Sequence, residues 1–232
     1  MSLFDYSEEI EVLKSDHYMP LTQYKSGSWQ QKQYLLTKRM LDLFCSGIGL
    51  IFFLPLFLVT ALLIKLEDSK DPIFFKQMRV GKDGKLFKMY KFRSMKSDAE
   101  QLLPSIVHLN EVSGAMFKMK DDPRVTIIGR FIRKTSIDEL PQLWNVMKGE
   151  MSLVGPRPPL PKEVEVYNAY DKQRLLVKPG CTGLWQVSGR NRIGFKEMVE
   201  LDLKYIKNRS LMNDIYIILR TVRVLIGSKD AF

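Results

Sequence analysis

At 232 residues, 45% hydrophobic and 27% charged, the chain has ordinary globular composition: it can bury one substantial core, and disorder is excluded. A formal net charge of +10 predicts acidic partners, namely nucleic acid, anionic lipid or a phosphorylated substrate, and does not choose among them. Cys45 and Cys181 provide neither a disulfide framework nor zinc spacing, which suits a reducing compartment, and His17 and His108 are too isolated for a histidine-based site.

Residues 1–37 read as a polar, mixed-charge arm with Pro20 and the flexible KSGS at 25–28, holding one or two short helices and no implied chemistry. The run LFCSGIGLIFFLPLFLVTALLI, 43–64, then passes 22 positions without a charge, enough to reach across a bilayer core. A buried helix of a soluble protein seldom stays apolar on every face for so long. No small-residue cleavage site follows the run, so it is expected to be retained as an anchor. Pro55, near its middle, removes a backbone donor and predicts a kink or break. A kinked span and a re-entrant hairpin both fit. Basic flanks at each end, Lys38 and Arg39 before and Lys65 after, favour the re-entrant form with both ends on the cytoplasmic side.

Residues 72–95, PIFFKQMRVGKDGKLFKMYKFRSM, alternate apolar and basic positions around a Gly81–Gly84 turn and predict a β-hairpin. Its Lys88, Lys91 and Arg93 form either a solvated basic face or a phosphate-binding cluster. Residues 97–120 read as helical and then irregular. A turn at Asp122-Pro123, beside Arg124, leads into an apolar stretch through Val125, Ile127, Ile128, Phe131 and Ile132.

TSIDELPQLWN, 135–145, sets two adjacent acids, Asp138 and Glu139, beside Arg130, Arg133 and Lys134. They are expected to start a helix whose apolar face is Leu140, Leu143, Trp144 and Met147 and which ends near Gly149. Ser136 and Glu139 have capping-box spacing, and with Asp138 as N-cap, Pro141 falls in the first turn, where its missing N–H costs nothing. The structural reading is a helix cap. The functional one is that a helix N-terminus is also an anion site, where two carboxylates, a divalent cation and a phosphate can share the space with Arg133 one turn away.

Further on, LVGPRPPLP stiffens the backbone around Arg157, whose guanidinium grips phosphate oxygens in pairs as Lys does not. VKPGCTGLWQVSGRNRIGF is a glycine-bearing loop with an aromatic, an amide and Arg190, suited to a nucleotide or sugar pocket and equally readable as a surface loop. Apolar residues at 211, 215, 218, 219, 222, 225 and 226 make a final amphipathic helix, with Arg220 and Arg223 beside the apolar face, for core packing or a membrane surface.

In order, these pieces resemble the bacterial sugar transferases that act as monotopic polyprenyl-phosphate phosphoglycosyl transferases. The likeness rests on KRMLD at 38–42, the proline-broken run, the 72–95 hairpin, DDPRVTIIGRFIRKTSIDELPQLWNVMKGEMSLVGPRP, KPGCTGLWQVSGRN and the closing helix, and covers 38 to about 226. The minimal form of the family, without further membrane helices ahead of the core, is the closer comparison. The resemblance implies an α+β, mainly helical fold. It consists of a polar arm over 1–37, a re-entrant membrane helix-break-helix over 38–66, and a cytoplasmic catalytic domain over 67–232 with a small β-hairpin and amphipathic surface helices.

It further implies transfer of a sugar 1-phosphate from a UDP-sugar to undecaprenyl phosphate at the cytoplasmic face of a bacterial inner membrane. UMP is released in this first membrane step of capsule, exopolysaccharide, O-antigen or glycan assembly, ahead of downstream glycosyltransferases. By resemblance Asp138 is the nucleophile that forms a phosphosugar-aspartyl intermediate, and Asp138 and Glu139 hold Mg2+, which needs only one or two carboxylates when a diphosphate supplies the rest. Arg133 meets the acceptor phosphate, and Lys91, Arg93, Arg124, Arg157 and Arg190 bind phosphate or substrate. Lys38, Arg39, Asp42 and Pro55 match the entry to the membrane segment, and Lys38 and Asp42 are spaced to pair along one helix face. Leu54 stands where the family often has Ser before the proline. GLWQVSGRN leans toward UDP-glucose or UDP-galactose. Two other classes compete. A membrane-tethered nucleic-acid binder would cluster its basic residues without the acid dyad, and nucleic acid is not expected as a partner. A catalytically silent scaffold of a polysaccharide assembly complex would have no need of Asp138 and Glu139 together.

Overall fold

The computed structural model describes residues 29–110, 119, 121–189 and 193–227; residues 1–28 of the expected arm and Arg190 lie outside the described residues, and residues 29–37 of that arm are instead the start of a long helix. The apolar run forms two helices, α1 (Trp29–Phe52) and α2 (Leu54–Glu67), bent by 57° at their junction. Pro55 sits in the first turn of α2 and has no N–H to offer Ile51, so the hydrogen-bond ladder loses a rung there. No single helix is long and apolar enough to cross a membrane, but the bent pair passes that test together by length and composition. Ile51, Phe52, Leu58, Leu62 and Leu66 all lie on its exposed surface.

The expected hairpin is present. Strands β1 (Phe74–Val80) and β2 (Leu86–Phe92) pair antiparallel from Phe74↔Phe92 to Val80↔Leu86. Between them Asp83 and Gly84 take positive φ of 56° and 78°, which closes the turn. Phe87 and Met89 turn inward while Leu86 and Lys88 face out, as strand periodicity requires, and Phe92, on the opposite face, is buried in a separate cluster with Ile64 and Ile132. Helix α3 (Ala99–Ile106) agrees with the helical reading of that stretch, and residues 111–118 and 120 lie outside the described residues.

The remaining elements are short. Helix α4 (Ile127–Lys134) is capped by Thr126, whose hydroxyl accepts from Gly129 N at 2.9 Å, and by Glu67 of α2, which accepts from Ile127 N at 2.7 Å. Next come α5 (Gln142–Lys148), β3 (Ser152–Val154), α6 (Pro161–Glu165), β4 (Gly180–Thr182), α7 (Leu184–Ser188), α8 (Phe195–Lys207) and α9 (Leu211–Gly227). Strands β3 and β4 form a parallel pair that no sequence signal predicts. Their loops approach so closely that a Cβ on Gly180 would fall 2.1 Å from Gly155 N, so only glycine fits.

The largest core cluster joins β3, α7, α8 and α9 through residues such as Val154, Leu184, Val199, Tyr205 and Ile217. A second, of Phe87, Met89, Val146 and Met151, joins the hairpin to α5, and a third, of Ile64, Phe92 and Ile132, joins α2, β2 and α4. In α9, Asp214 and Ile217 are buried while Met212, Leu219 and Val222 are exposed, which gives the helix two apolar surfaces of different use. Asp214 accepts hydrogen bonds from Tyr34 (3.0 Å) and Lys38 (2.9 Å) of α1 and from Tyr205 (2.7 Å) of α8.

That arrangement corrects one expectation. Lys38 does not pair with Asp42; it is taken by the buried Asp214 of α9 at 2.9 Å. Asp42, itself buried, accepts instead from Ser152 Oγ at 3.0 Å and Leu153 N at 2.9 Å. Arg39 donates to Val146 O (2.7 Å) and Met147 O (2.9 Å), the last carbonyls of α5, where a cation suits the helix dipole. Gly49 of α1 lies against Leu143 of α5, so the first helix of the bent pair is packed directly on the helix that follows the acid dyad.

Candidate active site

The paired acids stand between α4 and α5. After α4 the chain reverses through Ser136, which adopts the left-handed conformation (φ 56°) and is one of two non-glycine residues with positive φ among those described. A single 3-10 turn, Ile137–Glu139, follows, and α5 begins only at Gln142. Two expectations are thereby corrected. Asp138 is not the N-cap of the helix, and the Ser136–Glu139 capping box does not form, because Ser136 makes no side-chain cap bond and Pro141 occupies the cap position. Left-handed backbone at a non-glycine residue costs about 1–3 kcal/mol and recurs where side chains are aimed for function.

The reversal buries Asp138 to 7% exposure while Glu139 stays half-exposed beside it. Lys91, from β2, reaches Glu139 Oε1 at 2.6 Å. Burial pushes the Asp138 carboxyl up to about 6, the Lys91 charge draws it down, Glu139 raises it again, and Arg133 lowers it. Arg133 is half-buried, acts on Asp138 through its charge, and its side chain bonds to none of the described residues. It lines a small cavity of about 130 Å³ with Arg130, Asp121 and Asp122. Cys181 of β4 also lies close: burial and then the Glu139 charge push its thiol up.

The other expected residues divide. Arg157 bonds through Nη1 to Glu163 at 3.1 Å and, among the described residues, is linked to the dyad's surroundings only through Arg79, on which the Arg157 and Glu139 charges both act. Arg93 turns elsewhere, to Pro72 O (2.9 Å) and Asp71 (3.5 Å), and lines a cavity of about 500 Å³ with Glu67, Lys96 and Arg130. Arg124 is buried in a fork against Asp122, with Nε to Oδ1 at 2.9 Å and Nη2 to Oδ2 at 2.7 Å, and it also reaches Ala99 O. Lys88 faces outward.

Sequence reading missed Arg79, Glu163, Arg174 and Asn145, all buried. Arg79 at the end of β1 donates Nη1 to Pro158 O at 2.8 Å, and burial followed by the Arg157 charge lowers its pKa to about 10. Asn145 binds Tyr90 N at 3.0 Å and Lys88 O at 2.7 Å, locking α5 to β2. The buried face of α5 is therefore polar, Gln142 and Asn145 around Val146, and the anticipated apolar face turns partly outward, with Trp144 exposed. In α7, Trp185 Nε1, Gln186 Oε1 and Ser188 Oγ are buried without partners among the described residues.

Among the described residues no group of three or more His, Cys, Asp or Glu could hold a metal unaided. Two adjacent carboxylates, one buried and one neutralised by Lys91, nevertheless fit a magnesium ion whose remaining ligands are phosphate and water oxygens, the usual case for that cation. The site can thus present a carboxylate to a phosphate ester, with Arg133 and Lys91 offsetting charge.

A family model described as bacterial sugar transferase matches residues 33–228. The galactosyl transferase CpsE of Streptococcus agalactiae is 47% identical over 226 residues, covering 96% of this chain and 49% of that protein. The undecaprenyl-phosphate galactose phosphotransferase of Salmonella typhimurium is 41% identical over 231 residues, 98% of this chain and 48% of that protein. The exopolysaccharide production protein ExoY of Rhizobium meliloti is 38% identical over 201 residues, 85% of this chain and 88% of that protein. The chain spans about half the length of the first two relatives and most of the third. It belongs to the bacterial sugar transferase family.

Proposed function

We propose that the protein transfers a sugar 1-phosphate from a UDP-sugar to undecaprenyl phosphate. The observation that carries this reading is the Asp138–Glu139 dyad, one acid buried and the other ion-paired to Lys91, in a chain of the bacterial sugar transferase family. The Asp138 carboxylate attacks the β-phosphorus of the donor; an O–P bond forms, the diphosphate bridge breaks, and UMP leaves. The ionised phosphate oxygen of the lipid then attacks the same phosphorus and displaces Asp138, so no histidine base is required and ping-pong kinetics follow. Asp138 and Glu139 would hold Mg2+, which when bound screens the diphosphate charge. Arg133 meets the lipid phosphate, and Arg157 the donor.

Glucose and galactose are the sugars favoured by the GLWQVSGRN motif, and two relatives are named for galactose. The unmet polar atoms of Trp185, Gln186 and Ser188 suit a hydroxyl-bearing ligand. The bent α1–α2 pair, with its exposed apolar surface, supports a re-entrant anchor that leaves both ends and the catalytic domain on the cytoplasmic face of the inner membrane. The lipid-linked product would pass to glycosyltransferases of a capsule, exopolysaccharide or related glycan.

Incubation with Mg2+ and labelled UDP-sugars, followed by mass analysis, is expected to find a phosphosugar on Asp138. Turnover with sequential kinetics and no adduct would defeat the covalent mechanism, and the sugar panel identifies the donor. Cysteines placed before Lys38 and after Glu67 are expected to be labelled from the cytoplasmic side alone; labelling from opposite sides would defeat the hairpin.

A further inference from the structure

The proline-rich loop around Arg157 cannot satisfy itself. Pro156, Pro158, Pro159 and Pro161 have no N–H, so its carbonyls need donors from elsewhere. Three successive carbonyls are met by three separate elements: Arg157 O by Arg174 Nη2 at 3.3 Å, Pro158 O by Arg79 Nη1 at 2.8 Å, and Pro159 O by Val80 N at 2.9 Å. Arg174 is anchored in turn by Asp202 and Tyr167, at 2.6 and 2.8 Å. The backbone at Arg157 is thus clamped between β1 and α8.

Its side chain is held as specifically. Glu163, 2% exposed, accepts from Leu160 N at 2.7 Å and from Arg157 Nη1 at 3.1 and 3.3 Å. Only Nη1 is engaged: the Nε and Nη2 of Arg157 bond to none of the described residues, whereas both neighbouring arginines spend every guanidinium nitrogen on the framework. The Nε–Nη2 side of a guanidinium presents two parallel donors, the geometry that receives two oxygens of one phosphate. Arg157 is also partly accessible, with 23% of its side chain exposed.

We infer that Glu163 is a positioning residue for phosphoryl transfer: it grips one end of the Arg157 guanidinium so that the free two-donor edge is presented to the donor diphosphate. A buried carboxylate fixed by a backbone N–H cannot follow Arg157 if it swings, so the pair defines one orientation. Glu163 touches no substrate and acts only through Arg157. The inference rests on the reading of the protein as a sugar-phosphate transferase and adds a residue to it.

The test is a double-mutant cycle on the full chain in detergent or nanodiscs. Glu163→Gln keeps an oxygen for Leu160 N and removes the charge that holds Arg157. It is expected to lower kcat/KM for the UDP-sugar by about 10- to 100-fold, comparable with Arg157→Gln, and in the Arg157→Gln background to lower it no further. Inorganic pyrophosphate, followed by calorimetry, is expected to bind about 10-fold more weakly to E163Q than to the wild type. Unchanged kcat/KM in E163Q overturns the inference, as does a loss that multiplies with that of R157Q, which is what a merely structural residue would give. If E163Q does not fold, Arg157→Lys decides: it keeps the charge and lacks the two-donor edge, so a similar loss supports the proposal and wild-type kcat/KM overturns it. Pyrophosphate binding that depends on Arg157 and Glu163 without transfer from any UDP-sugar would leave the anion site standing and remove the transferase reading. Transfer indifferent to Glu163 would do the reverse.

Discussion

Two charged clusters in this basic chain are made from the same residue types and are treated in opposite ways. Around Arg174, 2% exposed, each guanidinium nitrogen donates, to Asp202, Tyr167 or Arg157 O, and the group is sealed between helices and the proline-rich loop. Around Asp138 the carboxylate is also buried, but its cations lie at a remove: Lys91 bonds to the neighbouring Glu139, and the Arg133 side chain bonds to none of the described residues. The first cluster consumes its charges in holding the fold. The second leaves them unspent, at the cost of a left-handed Ser136; burial raises a carboxyl to about 6 in both clusters, Asp138 in one and Asp202 in the other. What separates framework from reactive site in this protein is whether the cation is bonded: the Arg174 guanidinium is saturated, even though Asp202 Oδ1 finds no partner among the described residues.

Removing one member from each cluster should give opposite phenotypes. Asp138→Ala is expected to reduce turnover by about 10⁴-fold or more, as loss of a nucleophile does, with the folded state retained on chemical denaturation. Arg174→Ala should instead destabilise by about 3–5 kcal/mol, because it strands Asp202 in the interior, visible as an earlier denaturant midpoint. Equal loss of stability in the two variants would erase the distinction.

Smaller changes sharpen it. Arg133→Gln is expected to slow transfer about 10- to 100-fold while moving the melting temperature by no more than about 1 °C, since its half-buried guanidinium bonds to none of the described residues. Asp138→Asn should raise the melting temperature of the metal-free protein by roughly 2–6 °C at neutral pH. The sign follows from the raised carboxyl: ionising Asp138 penalises the native state fully above about 6, and the penalty disappears below the unfolded range near about 3.9, where the variant's advantage should vanish. Asp122 runs the other way. Burial works against its charge, but the Arg124 hydrogen bonds more than offset this and hold its carboxyl below the usual range. Its contribution is present above about 3.9 and lost as pH falls through the lower folded value, so Asp122→Asn should flatten the acid limb of the stability curve.

Sequence made the local features legible. Alternation around Gly81 and Gly84 marked the hairpin, Pro55 marked the break, and adjacent acids in a basic stretch marked the dyad. What failed was decided at a distance. Lys38 and Asp42 had the right spacing to pair, but Asp214, far along the chain, takes the ammonium, and Asp42 is met instead by Ser152 and Leu153. Ser136 and Glu139 had the pattern of a capping box, and the left-handed reversal after α4 removed it. Strands β3 and β4, three residues each and paired across some 25 positions, carry too little pattern to be seen. Arg79 and Arg174 were invisible because a basic residue on a strand or beside a loop gives no local sign that a proline-rich carbonyl will bury it. Arg190 lies outside the described residues and stays an expectation.

The grip of α1 on α5 has a consequence for anyone who recombines this family. Arg39 closes the end of α5, Gly49 nests against Leu143, and Asp42 ties down Ser152 and Leu153. A chimera spliced at the end of the apolar run, with the anchor of one relative joined to the remainder of another, would cut through all three contacts at once. The exchangeable unit is the anchor together with α5 and β3, and a graft designed on that boundary should inherit a working dyad where a shorter one would not.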